Sequence, residues 1–312
     1  MYKNLFRAIA CAAALVLGAS PAVATEWQEF AQDEVGMLNS DIKRGVPTID
    51  VGMYYPSNGD PAFRAQLDEA EMLAQFKKAK ATFLAAGVQL KLLWLRTGPM
   101  DPRHFAIPAN DPGLVMPDSN FVSMYENGRR NPTRPTQAAI DAFEAVIEPS
   151  PDNSRTIYVV AIPRVFMSFA EQSDERSWTV KTIRTGGLSF PTYNYSGMPD
   201  RVRGVVTVSR EDDDRKVIAH EIGHKVLNVS HEHRDVPPQH EVRSDEGLML
   251  YGIGTQIGSG EAGRWHRERL HLSPFVYRVN TRGEREWNPD YKEGGHYFDP
   301  IYGKHVITQD LK

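Results

Sequence analysis

Cysteine is nearly absent: the 312 residues contain one, Cys11. Nor is any apolar run long enough to anchor the chain permanently in a bilayer. The run Ala8 to Ala19 falls short of a span, and with Lys3 and Arg7 before it and Ala22-Val23-Ala24 after it, it has the order of a secretory signal cleaved after Ala24. Cys11 leaves with that signal, so the exported chain has neither a disulfide nor a thiol switch. A lipid anchor on Cys11 is disfavoured, because the residue sits inside the apolar run without a Leu-rich approach. Long blocks of one charge are missing too: the net charge of −4 becomes −6 once Lys3 and Arg7 are removed, which argues against a nucleic-acid partner. No internal repeat is visible. The mature chain, secreted or periplasmic and without a membrane anchor, keeps about 288 residues, enough for one large domain or a catalytic core with an appendage.

What is present is Ala219-His220-Glu221-Ile222-Gly223-His224. On a helix, His220 and His224 stand about 6 Å apart along the axis on one face, so both imidazoles can bind one ion. This is the H-E-x-x-H zinc pattern, in which the carboxylate of Glu221 reaches a water at the metal without occupying a metal position. Ile218, Ile222 and Val226 form an apolar stripe on the opposite side, able to bury the helix against a sheet while the histidines face a cleft. Gly223 costs helix stability, which implies close approach of a neighbouring strand.

A catalytic zinc takes three protein ligands and leaves a position for water. In a continuous helix His231 would lie about 10 Å beyond His224, out of reach, so the helix must break first. Asn228 tolerates the left-handed conformation that ends helices, and Val229 and Ser230 continue them poorly. His231 is then the expected third ligand, with His233 its main rival.

Around this motif the chain alternates strand and helix. Thr25 to Gly45 is a short mixed segment, one helix at most, which either packs on the core or serves as a small pro-segment. Thr48 to Tyr55 reads as a strand stopped by Pro56 and the turn Asn58-Gly59-Asp60. A long amphipathic helix follows from Phe63 to Phe83, ended by Gly87, and Val88 to Leu95 is a second strand, parallel to the first. Met100 to Pro135 is a proline- and asparagine-rich surface excursion. Thr136 to Ile147 is a helix with Asp141 and Glu144 toward solvent, Thr156 to Ile162 a central buried strand, and Gly186 to Phe190 an edge strand. Gly204 to Val208 leads directly into the metal helix, capped by Ser209 and favoured by the acids Glu211 to Asp214. Gly247 to Gly252 is a tight apolar turn, Ser259 to Leu272 a last helix, and 273–312 a tail of unread role. His104, His240, His266, His271, His296 and His305 are scattered and read as structural or solvated.

The motif resembles that of the metzincin family of zinc endopeptidases, H-E-x-x-H-x-x-G-x-x-H followed by a methionine-containing turn. His220, Glu221 and His224 match; His231-Glu232-His233-Arg234-Asp235 is similar to the third-ligand stretch of the astacin branch, and Leu248-Met249-Leu250-Tyr251 to the Met-turn. The spacing to His231 is one residue longer than the family's, and Leu227-Asn228 replaces the glycine. The resemblance implies an α+β or α/β fold with a mixed, twisted, mostly parallel sheet. One antiparallel edge strand, a long backing helix, the active-site helix and a C-terminal helix complete it. It also implies a catalytic domain over 48–272, after an N-terminal segment 25–47 and before a tail 273–312 packed on or beside the core.

By the same resemblance Tyr251 approaches zinc and hydrogen-bonds the developing oxyanion, and a peptide or protein substrate lies extended along the edge strand. The expected function is an exported metalloendopeptidase with one catalytic Zn2+ on His220, His224 and His231, Glu221 acting as base and then acid. Two alternatives stand beside it. One is another zinc hydrolase with a downstream acid such as Glu246 as third ligand. The other is a secreted binding module in which zinc, with His233 closing the shell, only staples the fold.

Overall fold

The computed structural model describes residues 27–57, 67–101, 104, 106–108, 137–172, 178–189, 199–209, 216–228, 247–249, 256–257, 260–289, 295–299 and 303–307. In chain order these begin with β1 (Gln28–Glu29), α1 (Gln32–Leu38), β2 (Thr48–Ser57), α2 (Glu69–Ala85), β3 (Gln89–Pro99), β4 (Ala106–Pro108) and α3 (Gln137–Val146). Next come β5 (Ile157–Ala161), β6 (Arg164–Gln172), β7 (Trp178–Thr185), β8 (Gly187–Ser189), α4 (Asp200–Arg203), β9 (Val205–Val208) and α5 (Val217–Leu227). The last are α6 (Gly260–Leu272), β10 (Val276–Val279), β11 (Arg285–Trp287), β12 (Gly295–Asp299) and β13 (Gly303–Ile307).

The main sheet runs β1-β3-β2-β5-β9-β8. Its four inner strands are mutually parallel, as the buried Val/Ile/Leu-rich runs predict. Antiparallel strands close both edges, β1 on β3 and β8 on β9, where the sequence suggests one such strand. The tail supplies a further antiparallel pair: β10 joins the start of β2 through Val276 and Ile49, and β11 pairs with β10. Strand β2 runs past Pro56 to Ser57, because beyond Tyr54 it keeps a partner only on the β3 side, where a proline is tolerated.

Alternation along β5 divides the core. Ile157, Val159 and Ala161 face a cluster built with α2 and α5, and Tyr158, Val160 and Ile162 face a second cluster built with α3. Helix α2 starts later than its apolar period suggests: Leu67 is buried ahead of it, and Asp68 with Glu71 forms a reciprocal capping box that fixes the first turn. It ends at Ala86, with Gly87 at φ +85, the predicted stop. Phe63 and the Asn58-Gly59-Asp60 turn lie outside the described residues.

The N-terminal segment packs on the core. Val35 is buried, Asn39 exchanges hydrogen bonds with Leu92 of β3, and Lys80 of α2 reaches Leu38 O and Asp41. Helix α3 buries Ala139, Phe143 and Val146 and exposes Asp141, while Glu144 is half-buried opposite Arg201. Residues 164–172 and 178–185, to which no element is assigned above, pair as the antiparallel strands β6 and β7, with β4, from the segment read as a surface excursion, added in parallel. Among the described residues no helix is long and apolar enough to cross a membrane.

Candidate metal centre

Helix α5 places the motif. Ile218, Ala219, Ile222, Val226 and Leu227 are fully buried in the cluster shared with α2 and the sheet. Each of the four larger side chains contributes about 1.5–3 kcal/mol relative to exposure, which fixes the rotation of the helix. His220 and His224 are left half-buried on another face, their ring centroids 4.6 Å apart and their planes at 87°. The helix begins at Val217 with Lys216 in the N-cap position, its side chain donating to Thr82 Oγ1 at 3.3 Å rather than capping the helix, so Ser209 does not cap it. The Ser209 amide instead donates to Gly186 O at 2.6 Å, continuing the β8–β9 ladder. The acids Glu211 to Asp214 lie outside the described residues.

The turn Gly247–Leu248–Met249 underlies the helix. Leu248 and Met249 are fully buried, and the Leu248 amide donates to Gln256 O at 2.7 Å. His220 Nδ1 lies 2.5 Å from Leu248 O, which can only accept, so Nδ1 is the donor there and in the neutral ring Nε2 is the nitrogen with the lone pair. A backbone carbonyl on one ring nitrogen is the arrangement that orients histidines for a metal on the other. Gly223 allows the approach: a Cβ there would lie 2.8 Å from Met249 Sδ and 3.0 Å from Leu248 Cδ2. The close neighbour is this turn, not a strand.

Glu221 turns into the space between α5 and β8. Its side chain is buried, and Oε2 has no hydrogen-bond partner among the described residues. Burial pushes its pKa up to about 8, against the attraction of Lys225 one turn on. Lys225 is itself buried and pushed down to about 7 by burial and by nearby Arg203, with Glu221 opposing. A buried carboxylate with an unsatisfied oxygen, next to two imidazoles of which one is oriented by a backbone carbonyl, fits a divalent cation, whose charge would favour the ionised form.

Helix α6 closes the back. His266, Arg269 and Leu270 are buried at helical spacing, and Arg269 Nε donates to Leu227 O at 3.1 Å. Asn228 adopts φ 55 and ψ 51, ending α5 where the sequence predicts. His231, His233, Glu246 and Tyr251 lie outside the described residues. Among the described residues no group of three or more potential ligands gathers around one point, and His220 and His224 stand as a pair. The Leu248 carbonyl and the Arg269 side chain come to the helix without a sequence signal, since nothing local marks a long-range contact, whereas Lys225 stands four residues after Glu221, a spacing the sequence does show.

No protein-family model matches the chain, and a search of curated proteins finds no match.

Proposed function

We propose that the chain is an exported zinc-dependent endopeptidase of metzincin type. The observation that carries this reading is the triple on α5: two imidazoles one turn apart, one of them oriented by a backbone carbonyl, beside a buried carboxylate with an unsatisfied oxygen. Zinc, when bound, supplies a Lewis acid that polarises the scissile carbonyl. His220 and His224 would hold it, with His231 as the proposed third ligand.

Glu221 takes the proton from the attacking water and delivers it to the departing amine. Burial raises its pKa to about 8, and the charge of a bound cation would draw it back toward the ionised form that can accept the proton. By the same reading an extended peptide would lie along β8, the last strand of the main sheet among the described residues and the one that lies against Glu221. Tyr251, by the same reading, donates its hydroxyl hydrogen to the developing oxyanion.

The test uses the exported form, analysed for bound metal and assayed on casein and a peptide library with and without a chelator. Zinc near one equivalent, cleavage abolished by chelation, and a Glu221→Gln protein that keeps zinc but loses cleavage are expected. A Glu221→Gln protein that cleaves at the parent rate sinks the proposal.

A further inference from the structure

Helix α6 carries two basic side chains that reach the carboxyl ends of two other helices. His271 Nε2 lies 3.1 Å from Ala86 O at the end of α2, and Arg269 Nε donates to Leu227 O at the end of α5. The first contact joins α6 to α2. The second sits on the last residue of the metal helix, one residue before the left-handed turn at Asn228.

Arg269 is 1% exposed and is the bulkiest fully buried side chain among the described residues. Stability alone does not account for it, because exchanging a buried ionic group for an apolar one of similar volume is often neutral or stabilising. What an apolar side chain cannot supply is a directed donor. The last carbonyls of a helix lack intrahelical partners, and a cation placed there is favoured by the helix dipole. With Leu227 O held from α6 by a residue 42 positions away, the final turn of α5, which carries His224, is tied against fraying.

Resting on the metal-site reading above, we infer that Arg269 is a positioning residue of the metal centre: its hydrogen bond to Leu227 O holds the last turn of the metal helix and, with it, His224. Asn228, in the left-handed conformation, ends the helix immediately after the residue that Arg269 holds.

The experiment compares the full exported chain with Arg269→Met and Arg269→Lys. Two readouts are taken: zinc and cobalt affinity by chelator competition, with the cobalt absorption spectrum, and thermal stability of the metal-free protein. A packing role ranks Met at or above Lys in both. A positioning role reverses the order for the metal: Met matches the parent in metal-free stability yet binds about 10- to 100-fold more weakly with an altered cobalt spectrum, and Lys recovers part of the loss.

Parent-like affinity and spectrum in both variants overturn the inference while leaving the metal site standing. A parent that binds neither metal overturns the metal-site reading, and this inference with it. Should the variants fail to fold, amide exchange on the metal-free parent decides. Lys225 to Leu227 exchanging as slowly as the middle of α5 supports a held exit, and exchange at the rate of a frayed end overturns it.

Discussion

Gly187 of β8 and Glu221 of α5 share one space. A Cβ at position 187 would lie 2.6 Å from both Cγ and Oε1 of Glu221 and 2.8 Å from its Cδ, closer than non-bonded carbon and oxygen atoms approach. The edge strand is therefore the wall against which the carboxylate is set. Gly187 pairs with Val208 of the neighbouring strand, so the wall is fixed to the sheet and cannot easily retreat.

Gly187→Ala should therefore move the carboxylate without touching His220 or His224. A displacement near 1 Å at a reacting group costs about 100-fold, so kcat/KM should fall by that order while zinc content stays at the parent level. Glu221→Asp, one methylene shorter, should lose less activity in the Gly187→Ala background than in the parent. Kinetics and metal analysis on the four proteins check this, and strictly multiplicative effects would show that the two residues do not interfere.

Gly223 and Gly36 both lie in helices and should respond in opposite ways. Nothing lies within 4 Å of a Cβ at Gly36, so Gly36→Ala should stabilise by about 0.5–1 kcal/mol through reduced backbone freedom. At Gly223 the added methyl meets Met249 Sδ and Leu248 Cδ2, and overpacking of about 1–3 kcal/mol offsets the helix gain of about 1 kcal/mol. Because Leu248 O also orients His220, zinc affinity should drop by about tenfold or more. Urea unfolding and chelator competition measure the two effects separately, and unchanged affinity in Gly223→Ala would detach the turn from the histidine.

Removing zinc should lower stability without unfolding the protein. The stripe on α5, the parallel strands and α2 form one buried cluster that needs no ion to close it. A ligand present at about a thousandfold its Kd stabilises by about 4 kcal/mol, and the chelated protein should lose about that much and still unfold cooperatively. Calorimetry with and without a chelator distinguishes this from a metal that only staples the fold, for which the chelated chain would show no cooperative transition.

The inner strands and the stripe on α5 were legible in the sequence because their periodicity is set locally by burial on two faces or one. The stops at Gly87 and Asn228 were legible for a related reason, since each depends on the conformational freedom of one residue. The start of α5 was not. Ser209 followed by acids has the composition of a helix start, but its amide is committed to Gly186 O, and that long-range bond outweighs the local signal. The strand pair β6 and β7 mixes apolar and polar residues on both strands and so shows no clean alternation, although Trp178 to Thr185 is rich in β-branched residues. At the site, the histidine pair and Glu221 could be read from spacing. The environment that orients them, Leu248 O, Gly187 and Arg269, comes from three separate elements and leaves no pattern to read.

Far from the histidines, Asp50 on β2 is fully buried, accepts a hydrogen bond from Tyr277 at 2.8 Å, and pairs with Arg285 at 3.0 Å. Burial raises its pKa above the ordinary carboxylate range, with the Tyr277 hydroxyl and Arg285 only partly opposing. The folded state thus holds the Asp50 proton more tightly than the unfolded chain does. The stability this confers is complete below the ordinary carboxylate pKa and is lost as pH rises through the higher folded value. Asp50→Asn should remove that fall, a slope of at most about 1.4 kcal/mol per pH unit, and its amide oxygen can still accept from Tyr277. Arg285 keeps Asp152 at 3.0 Å, so the substitution strands no charge. Tyr277→Phe should do the reverse: it removes one of the groups that favour the carboxylate, costs about 1–3 kcal/mol at neutral pH, and extends the fall to higher pH. Urea unfolding of the metal-free parent and both variants across the acidic to neutral range tests this, and a pH profile unchanged in Asp50→Asn would mean that the buried carboxylate does not titrate with folding.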